Sequence, residues 1–291
     1  MASLKEIKSR INSVKSTRQI TSAMKMVASA KLHKAQGAIE NMLPYQSKLN
    51  AILTNFLSTD STIESPYIVS RPVNRVAIVV FSSNSSLCGA FNANIIKQFT
   101  QVIDKYSSTL GRENILIYPI GKKIEVSVKK MGYTTRGSFQ HLANKPSYQE
   151  ASELAVRLMD LFASQEVDKV ELIYHHFKSV GSQTLKYEDY LPIDLTSHKV
   201  DVEKSKRNID YIVEPSAPEF ITSLLPQVIT LKMYTALIDS NASEHAARTM
   251  AMQIATDNAN ELIQDLTKQY NKSRQQAITN ELLDIIGGSM K

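Results

Sequence analysis

The chain has 291 residues, 43% of them hydrophobic, a net charge of +6 and one cysteine, Cys88. That length can bury a real core in one or two domains. The longest apolar runs, such as Val76 to Phe81, fall far short of the roughly 20 residues a membrane span needs, and a single thiol excludes an intrachain disulfide.

The charge is unevenly placed. Residues 1 to 39 hold Lys5, Lys8, Arg10, Lys15, Arg18, Lys25, Lys31 and Lys34 against Glu6 alone, a balance of +7, so the remaining residues sum to −1. A basic, acid-poor, amphipathic start fits a mitochondrial transit peptide or a nucleic-acid arm. The pattern, however, runs on past Ile39 with no cleavage-like break, and Tyr45 is the first aromatic residue that could stack on a base. Contact with an acidic protein surface fits better.

Ser3 and Glu6 form a capping box, in which the Ser side chain accepts the N3 amide, and predict a helix from Ser3 to about residue 57. Leu4, Ile7, Ile11 and Val14 step by three and four, the spacing of a coiled-coil seam. The stripe falters over Ser16 to Gln19 and resumes through Ile20, Met24, Val27 and Ala28 to Leu32, Ala35 and Ile39. A register break of this kind predicts uneven winding. Pro44 predicts a kink or an end.

Residues 58 to 74 read as a connection, followed by a buried strand over Asn74 to Phe81, the loop Ser82 to Gly89 and a helix from Phe91 to Tyr106. A strand over Asn114 to Ile120, a helix over Lys122 to Met131, a third strand near Tyr133 to Phe139 and a helix over Ser147 to Ser164 come next. Strands at Lys169 to Phe177 and Gln183 to Tyr190 complete a Rossmann-like α/β domain of about five strands, largely parallel, with room for an antiparallel edge.

A polar stretch over residues 194 to 209 leads to a second capping box, Ser216 to Glu219, and a helix from about 217 to 286 stopped by Gly287-Gly288. Its apolar stripe runs through Ile229, Met233, Leu237, Met250, Ile254, Leu262, Leu266, Tyr270, Ile278, Leu282 and Ile285. Ala247, Ala251, Ala255 and Ala259 recur every four residues and predict a close helix approach. The partner long enough for this helix is the N-terminal one. The predicted organisation is a helix over 1–57, an α/β domain over 73–193 and a helix over 210–291, with the two helices paired as one antiparallel coiled coil.

Chemistry-bearing patterns are sparse. The loop Ser82 to Ala90 has one glycine and neither G-x-G-x-x-G nor a terminal Gly-Lys-Ser/Thr, so it is not built to cradle phosphate. Cys88 reads as a buried thiol, with an α/β enzyme using it as nucleophile the competing view. His175 and His176 are neighbours on a strand and point to opposite faces, which does not suit one metal ion. No metal ligands, cofactor or catalytic residues are therefore expected, and a coiled-coil scaffold or assembly protein is the alternative to any mechanical role.

Leu4-Lys5-Glu6-Ile7-Lys8-Ser9-Arg10-Ile11 and Ile20-Thr21-Ser22-Ala23-Met24-Lys25-Met26-Val27-Ala28-Ser29-Ala30-Lys31 resemble the start of the gamma subunit of F-type ATP synthases. Ala255 to Ala259, Tyr270 to Leu282, Leu87 to Asn92 and Glu214-Pro215-Ser216 resemble that family too. One departure stands out: Asn84-Ser85-Ser86 sits where the family usually carries an acid, a basic residue and a glycine. No cysteine-bearing insert of the chloroplast kind is present, so thiol regulation is not implied.

The resemblance implies a central-stalk rotor of a proton-translocating or sodium-translocating complex, carrying torque without bond chemistry. Its partners would be the alpha and beta subunits of the catalytic ring, the epsilon and delta subunits and the membrane c-ring. Nucleic acid is not among them, and membrane contact would run only through other subunits. The start at Ser3 suits a bacterial or already mature protein, on the cytoplasmic side of the inner membrane. By position in the matching motifs, Met24, Arg274, Gln275 and Thr279 would touch the catalytic subunits, with coil packing the other reading of Met24. The apolar tip, Leu282, Leu283, Ile285 and Ile286, would sit in a hydrophobic sleeve or close the coil.

Overall fold

A computed structural model describes residues 3–59, 65–193 and 217–289. Helix α1 spans Leu4–Thr59. Its start is capped as the sequence predicts: the Glu6 amide donates to Ser3 Oγ at 3.2 Å and the Ile7 amide to the Ser3 carbonyl at 3.0 Å. The Ser216 cap lies outside the described residues.

Of the kink or end expected at Pro44, the end does not occur: α1 runs through it. A proline inside a helix costs about 3 kcal/mol, and tertiary packing offsets that here. Leu49 and Leu53, beyond the proline, are buried with Leu224, Leu225 and Leu231 of the C-terminal helix. That helix, labelled α6 below, spans Ala217–Ser289 and itself continues through Pro226. It also runs through Gly287 and Gly288, so the glycine pair does not stop it. Glycine costs only about 1 kcal/mol per helical residue relative to alanine, which allows an existing helix to carry on. With 56 and 73 residues, α1 and α6 are about 85 and 110 Å long at the helical rise.

Between them lie β1 (Val76–Phe81), α2 (Phe91–Leu110), β2 (Ile115–Ile120), α3 (Lys122–Lys130), α4 (Gln140–Asn144), α5 (Tyr148–Ala163), β3 (Lys169–Ser179) and β4 (Ser182–Leu191). The sheet order is β2-β1-β3-β4, with β1 parallel to β2 and β3, and β4 antiparallel at the edge. Among the described residues the sheet has four strands rather than about five. Tyr133 to Phe139 is not a strand: only Thr135 bridges to Ile117, with the Arg136 amide on the Ile117 carbonyl at 2.8 Å. Gly132, just before the stretch, and Gly137, within it, sit at φ 78° and 107°, left-handed turns that keep it from running extended along β2.

Every residue of β1 is buried, as its β-branched, apolar sequence requires of a central parallel strand. Val76, Ile78 and Val80 face Ile95, Phe99 and Val102 of α2 and Ile124 and Val128 of α3. Ala77, Val79 and Phe81 face the other way, into Leu154, Leu158 and Phe162 of α5 and Ile229, Met233 and Leu237 of α6. One stretch of α6 is therefore a layer of the α/β core as well as half of the coil.

Candidate functional site

The seam of the coil differs from the apolar stripe read in the sequence. On α1 the inward positions are Ile7, Ile11, Val14, Arg18, Thr21, Lys25, Ala28, Leu32, Ala35, Ile39, Met42, Gln46, Leu49 and Leu53, all buried or half-buried. These alternate by four and three without interruption, so the predicted register break does not occur. Polar residues hold the seam where apolar ones were expected. Ile20 and Val27, placed in the stripe by the sequence, are 60% and 58% exposed.

Helix α6 answers with Met252, Thr256, Ala259, Ile263, Leu266, Tyr270 and Ser273, again in unbroken fours and threes. Met250, Ile254, Leu262 and Ile278 of the predicted stripe are exposed. The antiparallel register is fixed by direct contacts. Thr21 Oγ1 and Thr256 Oγ1 are 2.8 Å apart, and Arg18 Nη1 donates to Asn260 Oδ1 at 3.4 Å. Nearer the α/β domain, Leu32 and Ala35 pack on Ala242 and Ala246, whose small side chains let the helices close up.

Of the alanine row named from sequence, Ala259 is buried in the coil. Ala247 and Ala251 instead line a groove of about 420 Å³ with Cys88, Phe91 and His175.

With Thr21 level with Thr256, the first residue of α1 is level with about residue 273. The last four turns of α6, roughly 24 Å at the helical rise, therefore extend beyond the described α1. Arg274, Gln275 and Thr279 lie on this extension and are exposed, with Thr279 Oγ1 donating to the Gln275 carbonyl at 2.9 Å. Leu282, Leu283, Ile285 and Ile286 beyond them are 55% to 68% exposed, so the tip does not close the coil. Ile7 and Leu266, both buried, do. Met24 is half-buried beside the seam and level with about residue 253, roughly 30 Å along the rod from Arg274. The structure groups three of the four residues and sets Met24 apart.

A second set of contacts, which the sequence reading missed, joins α6 to the α/β domain. Asp239 accepts the Phe177 amide at 2.7 Å and lies 2.6 Å from His176 Nδ1. Asn241 Nδ2 donates to the Ala143 carbonyl at 2.9 Å, and Ser243 Oγ to the His175 carbonyl at 3.1 Å. Arg248 pairs with Glu244 at 2.7 Å and donates to the Ser86 carbonyl at 2.5 Å. Glu244 and Arg248, acid preceding base by four on one helix, were the detectable signal.

Burial raises the Glu244 carboxyl against the pull of Arg248. His245 beside it is pushed down to about 4 by burial and by the Lys31 and Arg248 cations. His175 and His176 diverge as the strand period requires. His175 stacks on Phe91 at 4.5 Å, and burial pushes it down to about 4, while His176 turns to Asp239.

The loop after β1 is occupied by its own structure. Asn84 Oδ1, the Ser83 carbonyl and Ser82 Oγ accept the amides of Lys122, Lys123 and Ile124 at 2.8, 3.1 and 3.0 Å. The amides at the α3 N-terminus, where an anion would bind, are thus taken. Gly121 permits this approach: at φ 100° a Cβ would lie 2.2 Å from the Ser82 carbonyl. Cys88 is 1% exposed and receives the Asn92 side-chain amide at 3.1 Å, the placement of a structural thiol.

Apart from Arg18 and Lys25 in the seam, the α1 cations face outward. Lys5, Lys8, Arg10, Lys15, Lys31 and Lys34 are exposed, and among the described residues none of them is ion-paired to a carboxylate.

A family model described as ATP synthase matches residues 3–290. The ATP synthase gamma chain of Bacteroides fragilis is 70% identical over 290 residues, covering all of both chains. The chain belongs to the ATP synthase gamma chain family. A more distant gamma chain, from Parabacteroides distasonis, is 51% identical over 99% of both chains. Among solved structures, the rotor of the Euglena gracilis mitochondrial ATP synthase matches 94% of this chain and 98% of its own, with a TM-score of 0.62 at 20% identity. The central stalk and c-ring structure from Tetrahymena thermophila gives 0.56 at 24% identity, over 81% of this chain and 99% of its own. At that identity the likeness is one of fold. The family membership removes the free-standing scaffold as the reading of these helices.

Proposed function

We propose that the chain works as a mechanical axle: it transmits torque between the c-ring and the catalytic ring of alpha and beta subunits and breaks no bonds itself. The observation that carries this is the double use of α6, whose Ile229, Met233 and Leu237 belong to the α/β core while its continuation forms the coil. Core and shaft share one continuous backbone, so torque applied at the α/β domain has no flexible joint to dissipate in. The Asp239, Asn241, Ser243 and Arg248 contacts tie that stretch of α6 to the domain.

An axle without threefold symmetry presents a different face to each catalytic subunit. Its contacts then favour a different conformation in each, and rotation passes the pattern on. Arg274, Gln275 and Thr279 are the exposed polar groups we assign to that contact, with Arg274 able to bond acceptors bidentately; Met24 contributes from a second level, roughly 30 Å along the rod. The tip residues Leu282 to Ile286 turn in an apolar sleeve. The exposed α1 lysines suit acidic surfaces on the surrounding subunits.

In this reading the chain carries no cofactor, binds epsilon and delta subunits, and reaches the membrane only through the c-ring, on the cytoplasmic side of the bacterial inner membrane. Reconstitution tests it. The full-length chain added to alpha and beta subunits should raise their ATP hydrolysis and show no turnover alone; absence of stimulation would overturn the reading.

A further inference from the structure

The apolar parts of the seam do not by themselves define where α1 stops along α6. Ile7, Ile11, Val14, Ala28, Leu32 and Ile39 recur at heptad positions, and a shift of one heptad in one direction sets Ile7, Ile11, Ala28 and Leu32 level with Ile263, Ala259, Ala242 and Ile238. Such a shift displaces α1 by about 10 Å. What it does not preserve is the polar section. Thr21 would face Thr249 or Ile263, Thr256 would face Val14 or Ala28, and Arg18 would fall against Met252 or Leu266.

In the observed register the polar groups meet one another. One of the Thr21 and Thr256 hydroxyls donates across the seam at 2.8 Å, and the other donates to its own helix, to the Arg18 carbonyl at 3.0 Å or the Met252 carbonyl at 2.8 Å. Arg18 reaches Asn260. Around this level Ile20, Met26, Val27 and Ile254 are 55% to 66% exposed, so polar side chains occupy seam positions while several apolar ones face out.

We infer that the layer of Arg18, Thr21, Thr256 and Asn260 is a register lock: it fixes the axial position of α1 on α6, and it does so at a cost in coil stability. A buried polar layer in a coil is outcompeted in stability by apolar packing, yet it penalises every register in which its members lose each other. The inference goes beyond the rotor reading, because it concerns how the helices find their alignment. These are positioning residues, setting how far the bare α6 tip projects.

The test uses the full-length chain in a Cys88→Ser background, with spin labels at Ser29→Cys on α1 and Asn271→Cys on α6, both exposed positions. Pulsed distance measurements compare the unchanged layer, the hydroxyl-preserving Thr21→Ser/Thr256→Ser, and the apolar Arg18→Leu/Thr21→Val/Thr256→Val/Asn260→Leu. The first two should give one distance. The apolar layer should add a second population shifted by about 10 Å, with a melting temperature unchanged or raised. If the apolar variant aggregates, Thr21→Ala/Thr256→Ala must show the second distance instead. A single unshifted distance in the variants lacking the layer, or a second distance in the serine pair, would overturn the inference.

Discussion

Asp239 of the shaft accepts the backbone amide of Phe177 in β3 at 2.7 Å, so a carboxylate on one long helix completes the hydrogen bonding of a strand in the α/β domain. The same carboxylate holds His176, whose ring is 41% exposed while Asp239 is 9% exposed. The two contacts differ in what their loss would cost. Asp239→Ala leaves a backbone donor unpaired and should destabilise the chain by about 2–3 kcal/mol. His176→Ala removes a partly solvated partner and should cost less than about 1 kcal/mol. Denaturant unfolding of both variants checks the order; equal losses would contradict it.

Coil width is set at Ala242 and Ala246, both 0% exposed against Leu32 and Ala35. Ala246→Leu overfills that contact and should destabilise by about 1–3 kcal/mol. Ala251→Leu enters the groove beside Cys88, whose volume of about 420 Å³ has room for it, and should change stability by under about 0.5 kcal/mol. Urea unfolding of the two leucine variants separates them.

This is also where the sequence misleads. Breaker-free interiors and the Ser3 cap made both helices legible, and the β-branched run at Val76 made the central strand so. The seam was misread because it was sought among apolar residues, while Arg18, Thr21 and Lys25 occupy its positions. Period, rather than polarity, was the reliable signal. Gly287-Gly288 reads locally as a stop and Pro44 as a kink or a stop, but a propagating helix continues through both. Tyr133 to Phe139 has strand-like residues, but Gly132 before it and Gly137 within it turn the chain away. The joints between α6 and the domain pair residues about 60 to 160 apart, such as Asp239 with Phe177 and Arg248 with Ser86, and leave no periodic trace.

Acid should weaken the fold through two buried imidazoles. His175 and His245 are each pushed from 6.5 down to about 4, so the folded chain keeps them neutral while the unfolded chain takes up protons near pH 6.5. Their stabilising contribution is full above that pH and lost as pH falls toward 4, by up to about 3 kcal/mol each. Glu244, raised by burial, works in the opposite direction, so the slopes must be compared variant against parent. His175→Gln and His245→Gln should each flatten the dependence of unfolding free energy on pH between about 4 and 6.5. An unchanged slope in both would contradict the assignment.

Arg274 and Gln275 are exposed on the free extension of α6 and should matter only in the complex. Arg274→Ala and Gln275→Ala should leave the melting temperature of the isolated chain within about 1 °C, since surface changes stay within roughly 0.5 kcal/mol. Both should lower ATP hydrolysis by the reconstituted complex. A drop in melting temperature with full activity would place these residues in folding rather than contact.

The most direct measurement watches the α/β domain turn. With alpha and beta subunits fixed to a surface and a visible probe on the exposed side chain of Lys130→Cys in a Cys88→Ser chain, ATP should drive sustained one-way rotation of the probe. ATP hydrolysed at the stimulated rate while the probe stands still would contradict the account of α6 as a continuous axle.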